Sequence, residues 1–151
     1  MLHASYVRNR ATTKRYAEYT KQQRRAKSTE CVFCALVRQP NIPQVIAVHQ
    51  HCLVITNDFA YDFWDHAGVS DHLMVIPKRH VAALGDLTPE ERLDYLSVAT
   101  DYETHGYSMY ARAPGNSGKS VVHQHTHLIK TDNKPKKFLL YIKKPLVRVV
   151  K

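Results

Sequence analysis

The sequence predicts an α+β fold, and three observations carry that reading. Short apolar runs of strand length recur at residues 44–48, 51–56 and 73–76. A single strong helix start, Thr88-Pro89-Glu90-Glu91, follows them. Beyond it, Ser120 to Lys130 alternates as a strand does, with His123, His125 and His127 on one parity. Runs of strands around one dominant helix suit an α+β domain.

Each element has a local reason. Residues 6–27 are rich in good helix formers without a clean apolar stripe, which predicts a helix there. In the second helix Thr88 caps, Pro89 takes the first helical position and Glu91 closes a capping box. Leu93, Leu96 and residues 99–100 are expected to form its apolar face, and Gly106 to end it. Tyr107 to Arg112 and Ser120 to Lys130 then read as two strands joined by the turn at 113–119.

Composition narrows the function. The 151 residues suffice for one domain with a real core, and 44% hydrophobic content argues against disorder. No apolar run approaches the ~20 residues that cross a bilayer, and the start lacks an apolar signal core. The expectation is a cytoplasmic protein without a membrane partner; the basic N-terminus resembles a transit peptide only weakly. Three cysteines, two in Cys31-x-x-Cys34, suit a reducing compartment.

The net charge of +9 is concentrated at the ends. Eight Lys and Arg precede residue 30, and eight more lie between Lys130 and Lys151. Arg8, Arg10, Lys14, Arg15, Arg24 and Arg25 mark one basic stretch; Lys134, Lys136, Lys137, Lys143 and Lys144 mark the other. Such ends suit a polyanion such as nucleic acid, or simply a solvated surface. The division expected is an extension at 1–30, a domain at 31–130 and an extension at 131–151.

Three motifs carry chemistry. Along a strand rising ~3.3 Å per residue, neighbouring members of the histidine triplet sit about 6.6 Å apart and the outer two about 13 Å, so they cannot easily share one ion. A division of labour follows, one ring for a metal and others for a substrate. Cys31-Val32-Phe33-Cys34 is half of a zinc site or a redox pair, and its distance from the histidines excludes a small finger. A shared ion would instead staple the N-terminal segment to the sheet. Ala113 to Ser120 nearly spells a phosphate-binding loop, but a strand-like run follows where a helix is required.

The ordered set Cys-Val-Phe-Cys, His72-Leu-Met-Val-Ile-Pro-Lys-Arg-His80, the Thr-Pro-Glu-Glu helix and Asn116-Ser-Gly-Lys-Ser-Val-Val-His-Gln-His-Thr-His127 resembles the histidine triad (HIT) proteins in their zinc-containing branch. The resemblance covers roughly Cys31 to Lys130 and implies an antiparallel HIT-like sheet. It implies His125 as a nucleophile that attacks the α-phosphorus of a nucleotide, His127 as the phosphate and leaving-group contact, and His72 as support from the next strand. It implies a structural Zn2+ on Cys31, Cys34, His80 and His123. Val32, Phe33 and Leu36 match a base pocket, Asn57 a ribose position usually held by an acid, and Ser120 a phosphate contact; Lys119 replaces a frequent glutamine.

The implied activity is that of a nucleotide hydrolase or nucleotidyl transferase on a purine nucleotide: a dinucleoside polyphosphate, a nucleoside phosphoramidate or an adenylated adduct. A homodimer is compatible with it. A zinc-stabilised nucleic-acid-binding protein without turnover, or an aprataxin-like deadenylase of nucleic acid ends, are the other readings. Departures lie at Gln124 and Thr126, polar where the family is apolar, and at 58–71, which is longer and more aromatic than expected.

Overall fold

The computed structural model describes residues 6–25, 30–135, 139–143 and 146–150. Lys27, Lys136, Lys137 and Lys144 of the basic ends lie outside the described residues. The elements in chain order are β1 (Tyr6–Val7), α1 (Arg10–Arg25), α2 (Val32–Arg38), β2 (Val45–Val48), β3 (Cys52–Thr56), β4 (Phe63–Trp64), β5 (Ala67–Pro77), a short 3-10 turn (Leu84–Asp86), α3 (Pro89–Thr104), β6 (Tyr107–Ala111), β7 (Thr126–Thr131), β8 (Leu139–Lys143) and β9 (Leu146–Val150). Seven strands form one antiparallel sheet: β1-β4-β5-β3-β2 along one path, with β6-β7 joined to it through β5. β8 and β9 pair as a separate hairpin. The α+β class read from the sequence is the architecture found, and no described helix is long and apolar enough to cross a membrane.

β5 is the spine. It pairs with β3, β4 and β7, and its side chains alternate between two cores. Leu73 and Val75 join Cys52, Val54 and Leu128 beneath α3, whose Tyr95 and Val98 close that layer. Met74 and Ile76 join Leu53 and Ile55 on the other face, covered by Phe33 of α2. Burial of this kind contributes roughly 1.5–3 kcal/mol per large apolar side chain, so the strands that hold the site are also the best anchored.

Helix α3 starts as read: Thr88 Oγ1 accepts from the Glu91 N–H at 3.2 Å, and Glu91 Oε2 accepts from the Thr88 N–H at 2.8 Å. It ends at Gly106, whose φ of +86° is the left-handed turn glycine adopts freely. Its buried face is a correction. Tyr95, Val98 and Ala99 are buried, while Leu93 and Leu96 stand 70% and 54% exposed. The aromatic ring of Tyr95 outweighs the leucines because its hydroxyl finds the Val75 carbonyl at 2.8 Å and the Thr126 hydroxyl at 2.9 Å.

The other differences from expectation have equally local causes. Tyr6 and Val7 are a strand, not the start of a helix: they pair with Trp64 and Phe63. Asn9 then caps α1, its Oδ1 accepting from the Thr12 N–H at 2.8 Å. α1 packs through Tyr16 and Tyr19 on Phe59, both at 5.1 Å between ring centroids. The aromatic segment 58–71 is not one loop, since β4 and the start of β5 form a hairpin across Asp65 and His66. Both turn residues have positive φ, 46° and 64°, the geometry a two-residue hairpin turn needs.

The strand expected over 120–130 begins only at Thr126. His123 and His125 precede it, because the Gln124 N–H donates to the Val81 carbonyl at 2.7 Å and so leaves the sheet ladder. Gln124 and Thr126, expected on a less buried face or one covered differently, are 2% and 5% exposed. Covered differently is what is found: Lys119 Nζ donates to Gln124 Oε1 at 2.8 Å, and Tyr95 meets Thr126.

Candidate active site and metal centre

Three segments bring the histidines together. His72 lies in mid β5, opposite Ile129, and Met74 lies opposite His127, so His72 and His127 are diagonal neighbours on one sheet face. His72 Nε2 is 2.9 Å from His127 Nδ1. His125 lies just ahead of β7, its ring edge-on to Phe33 at 5.2 Å and to His127 at 5.2 Å.

The hydrogen bonds assign the tautomers. The Tyr61 N–H donates to His72 Nδ1 at 3.0 Å, so neutral His72 carries its proton on Nε2 and donates it to His127 Nδ1. His127 therefore holds its own proton on Nε2. His125 Nδ1 lies 2.9 Å from the His123 carbonyl, which can only accept. The His125 proton is thus on Nδ1, and Nε2 carries a lone pair. Both rings line the same cavity of about 920 Å³. A nucleophilic nitrogen and a proton donor stand side by side.

Electrostatics keep these rings neutral. Burial, with the Arg8 charge adding to it, pushes His72 down to about 4. Burial, His72, His125, Arg112 and Arg8 push His127 down to about 2. Burial lowers His125 as well, aided by Lys119 and Arg112 and opposed by its bond to the His123 carbonyl. An unprotonated imidazole near neutral pH is the form that can attack.

Next to this pair, Cys31, Cys34, His80 and His123 place four ligand atoms within 4.8 Å of one another. Cys34 Sγ is 3.2 Å from His80 Nδ1 and 3.6 Å from His123 Nδ1, and Cys31 Sγ is 3.5 Å from His123 Nδ1. A tetrahedral zinc with bonds of about 2.3 Å to sulfur and 2.0 Å to nitrogen sets S···N separations of roughly 3.5 Å. The donor set fits that ion. His123 Nε2 also donates to the Pro77 carbonyl at 2.9 Å, which turns the Nδ1 lone pair toward the thiols. Burial and the neighbouring Cys31 push the Cys34 thiol up, a cost that a bound cation removes.

Of the residues matched to a base pocket, Val32 lines the cavity. Phe33 and Leu36 do not: they pack behind it, Phe33 within the Leu53-Ile55-Met74-Ile76 core and Leu36 against that cluster. A seven-residue helix shows only one flank to the cavity. Asn57 lines it too, but its Oδ1 accepts from the Phe59 N–H at 3.0 Å and its amide nitrogen lies 3.0 Å from His72 Nε2. Lys119 and Ser120 line it as well, with Lys119 Nζ donating to the Ala82 carbonyl at 2.8 Å. No helix follows the turn at 113–119, so the near-match to a phosphate loop is not one.

Sequence reasoning missed the opposite wall. Tyr6, Arg8, Tyr16, Tyr61 and Arg112 all line the cavity. The aromatic excess at 58–71 was the available signal.

An antiparallel sheet whose neighbouring strands present histidines beside a Cys2His2 cluster defines a histidine-triad class of site. The HIT domain model matches residues 48–134, more than half of the chain, and the chain belongs to that family. Among solved structures, it is similar to a HIT family hydrolase from Clostridium thermocellum (TM-score 0.53, 21% identity, 73% of this chain and 98% of that one). It is likewise similar to a histidine triad nucleotide-binding protein from Candida albicans (TM-score 0.53, 19% identity, 68% and 76%). A Zn-bound histidine triad family protein from Mycobacterium smegmatis gives a TM-score of 0.52 at 24% identity over 69% and 76%. At these identities the likeness establishes the fold.

Proposed function

We propose that the chain is a nucleotide hydrolase or nucleotidyl transferase that works at the α-phosphorus through a nucleotidyl-His125 intermediate. One observation carries this: the tautomer relay from the Tyr61 N–H through His72 to His127, beside a His125 whose Nε2 is free. In the first step the Nε2 lone pair of His125 forms a bond to phosphorus. The bond to the leaving group breaks, and the departing atom takes its electron pair and, where basic, the Nε2 proton of His127. In the second step water attacks the same phosphorus and His125 leaves; the water's proton goes to His127 Nε2 where the first step emptied it and to solvent where it did not. An entering phosphate raises the low proton affinity of His127, since negative charge favours the protonated ring.

Cys31, Cys34, His80 and His123 would hold a structural zinc, and through it would tie α2 and the loop after β5 to the segment that carries His125. The candidate substrates are the purine nucleotide classes named above. The folded unit includes β1 and α1 together with the HIT domain, and the basic ends are candidates for nucleic acid contact. The test is denaturing mass spectrometry of the protein quenched during turnover of an adenosine phosphoramidate or a diadenosine polyphosphate. An adenylyl adduct on His125 is expected; turnover with no such adduct and with full activity in His125→Ala would overturn the mechanism.

A further inference from the structure

The cavity is larger than a catalytic pair and a single mononucleotide require. At about 920 Å³ it lies near the top of the ~300–1,000 Å³ range of small-molecule sites. Its two sides differ in chemistry. His125 meets Phe33 and the flank of α2. His127 meets the Tyr61 ring at 5.7 Å and stacks on Tyr110 at 6.0 Å. Behind those rings stand two cations from distant parts of the chain, Arg8 and Arg112.

Arg8 holds its guanidinium 4.7 Å from the Tyr61 centroid and 4.8 Å from that of Tyr16, and its Nε donates to the Phe59 carbonyl at 2.7 Å. Arg112 lies 5.1 Å from the Tyr110 centroid. Both guanidiniums converge on Tyr6, at 5.7 Å and 5.2 Å, and Tyr6 itself stacks on Tyr61 at 4.4 Å. The ion pairs Lys14–Glu18, Arg38–Glu30 and Arg79–Glu91 leave out both cavity arginines, and Glu30, the carboxylate that also lines the cavity, pairs with Arg38. A guanidinium stacked on rings keeps its N–H edge for a planar or tetrahedral anion. Two of them gathered while the cavity's Glu30 pairs with Arg38 repel each other, and an entering anion relieves that repulsion.

Gly118 fixes the second cation. A Cβ on this residue would stand 2.8 Å from Arg112 Nη1 and 3.1 Å from its Cζ, so the guanidinium lies directly on the turn backbone. Glycine here permits a close approach, and an added Cβ would be accommodated by a shift of the flexible arginine end. Arg8, in contrast, lies outside the matched HIT domain and is brought in by β1 pairing with β4.

We propose that Arg8 and Arg112 form a leaving-group subsite that selects substrates whose departing half begins with a phosphate. This rests on the nucleotidyl-transfer reading and adds to it the choice of leaving group. When His125 Nε2 attacks the α-phosphorus, the P–O bond to the next phosphate breaks and that oxygen keeps the electron pair. The departing phosphate leaves as an anion held by the two guanidiniums, with no proton required. An amine leaving group has no charge for them to hold.

Equilibrium binding tests this without turnover. The probes are AMP and its α,β-methylene diphosphate analogue, which adds one anionic group on the leaving side and cannot be cleaved there. The wild type is expected to bind the analogue roughly ten- to a hundredfold more tightly than AMP, the size of one charge-assisted hydrogen bond. In Arg8→Gln and Arg112→Gln that ratio should fall to about threefold or less. Gly118→Ala, whose backbone φ tolerates alanine, should lower it too by displacing Arg112 with its charge intact; thermal melts verify that each variant is folded. A wild type that binds AMP and gains nothing from the second anionic group overturns the subsite and leaves the nucleotide reading standing. A ratio retained in all three variants also overturns it, and failure to bind either probe overturns both.

Discussion

His72 gives the sharpest test of the relay. It is 4% exposed, accepts from the Tyr61 N–H and donates to His127. Replacement by alanine orphans that buried N–H, at a cost of about 1–3 kcal/mol. The missing ring leaves roughly 60 Å³ of cavity, which at ~24 cal/mol per Å³ adds about 1.5 kcal/mol. A total near 3 kcal/mol corresponds to a fall in Tm of roughly 6–12 °C for a chain of this size. Turnover should suffer separately. Without a donor at Nδ1, His127 can hold its proton there and lose it from Nε2, removing a proton donor that contributes about 10²–10⁴-fold. Differential scanning calorimetry and steady-state kinetics on a phosphoramidate read the two effects. A lowered Tm with kcat within threefold of the wild type would mean that His72 is packing alone, and the tautomer reasoning would be wrong.

The same ring predicts an acid limit. His72 is held at about 4 in the folded protein against 6.5 for a free imidazole, so the unfolded chain binds more protons between those values. Its contribution to stability is full above pH 6.5 and is lost as the pH falls toward 4, about 3 kcal/mol over the window. Urea unfolding at several pH values should show a steeper acid loss in the wild type than in His72→Ala; parallel profiles would contradict it.

Three further outcomes are expected. His125→Ala should keep the fold and lose turnover by at least ~10³-fold together with the covalent adduct, read by kinetics and mass spectrometry. Purified protein should carry about one zinc per chain by elemental analysis, and Cys34→Ala should lose it and melt earlier, whereas a metal-free protein of full stability would make the cysteines ordinary packing. Single-stranded oligonucleotides should bind without sequence preference through the basic ends and weaken at least tenfold between roughly 50 and 200 mM salt, and an affinity indifferent to salt would remove those ends from the account.

What the sequence disclosed followed the strength of local signals. β3 and α3 were legible because an apolar run and a capping box act over a few residues. α2 was not: its N-cap residue, Cys31, makes no side-chain cap bond, and seven residues are too few to show a period. α1 lacked an apolar stripe because Tyr16 and Tyr19 pack on a single ring, Phe59. The early exit of His123 and His125 from the sheet depends on the Val81 carbonyl, some forty residues away. The candidate metal ligands and the histidine trio stood out as chemistry-bearing residue types at informative spacings. Arg8 registered only as part of a basic stretch and Arg112 as a strand end, since ordinary arginines a hundred residues apart meet only through the pairing of two-residue strands.

One residue, His123, faces two ways. Its ring is turned to the thiols by the Pro77 carbonyl, and its own carbonyl receives the Nδ1 proton of His125. The ring of the Cys2His2 cluster and the carbonyl that orients the proposed nucleophile are therefore parts of a single amino acid, with one Cα between them. Any slack in the anchor is transmitted as a tilt of that carbonyl, and the imidazole it steers turns with it. Gentle chelation should accordingly blunt chemistry before it melts the domain. Anyone re-engineering the cluster with a different ligand at 123 inherits a constraint on backbone direction as strict as the one on donor type.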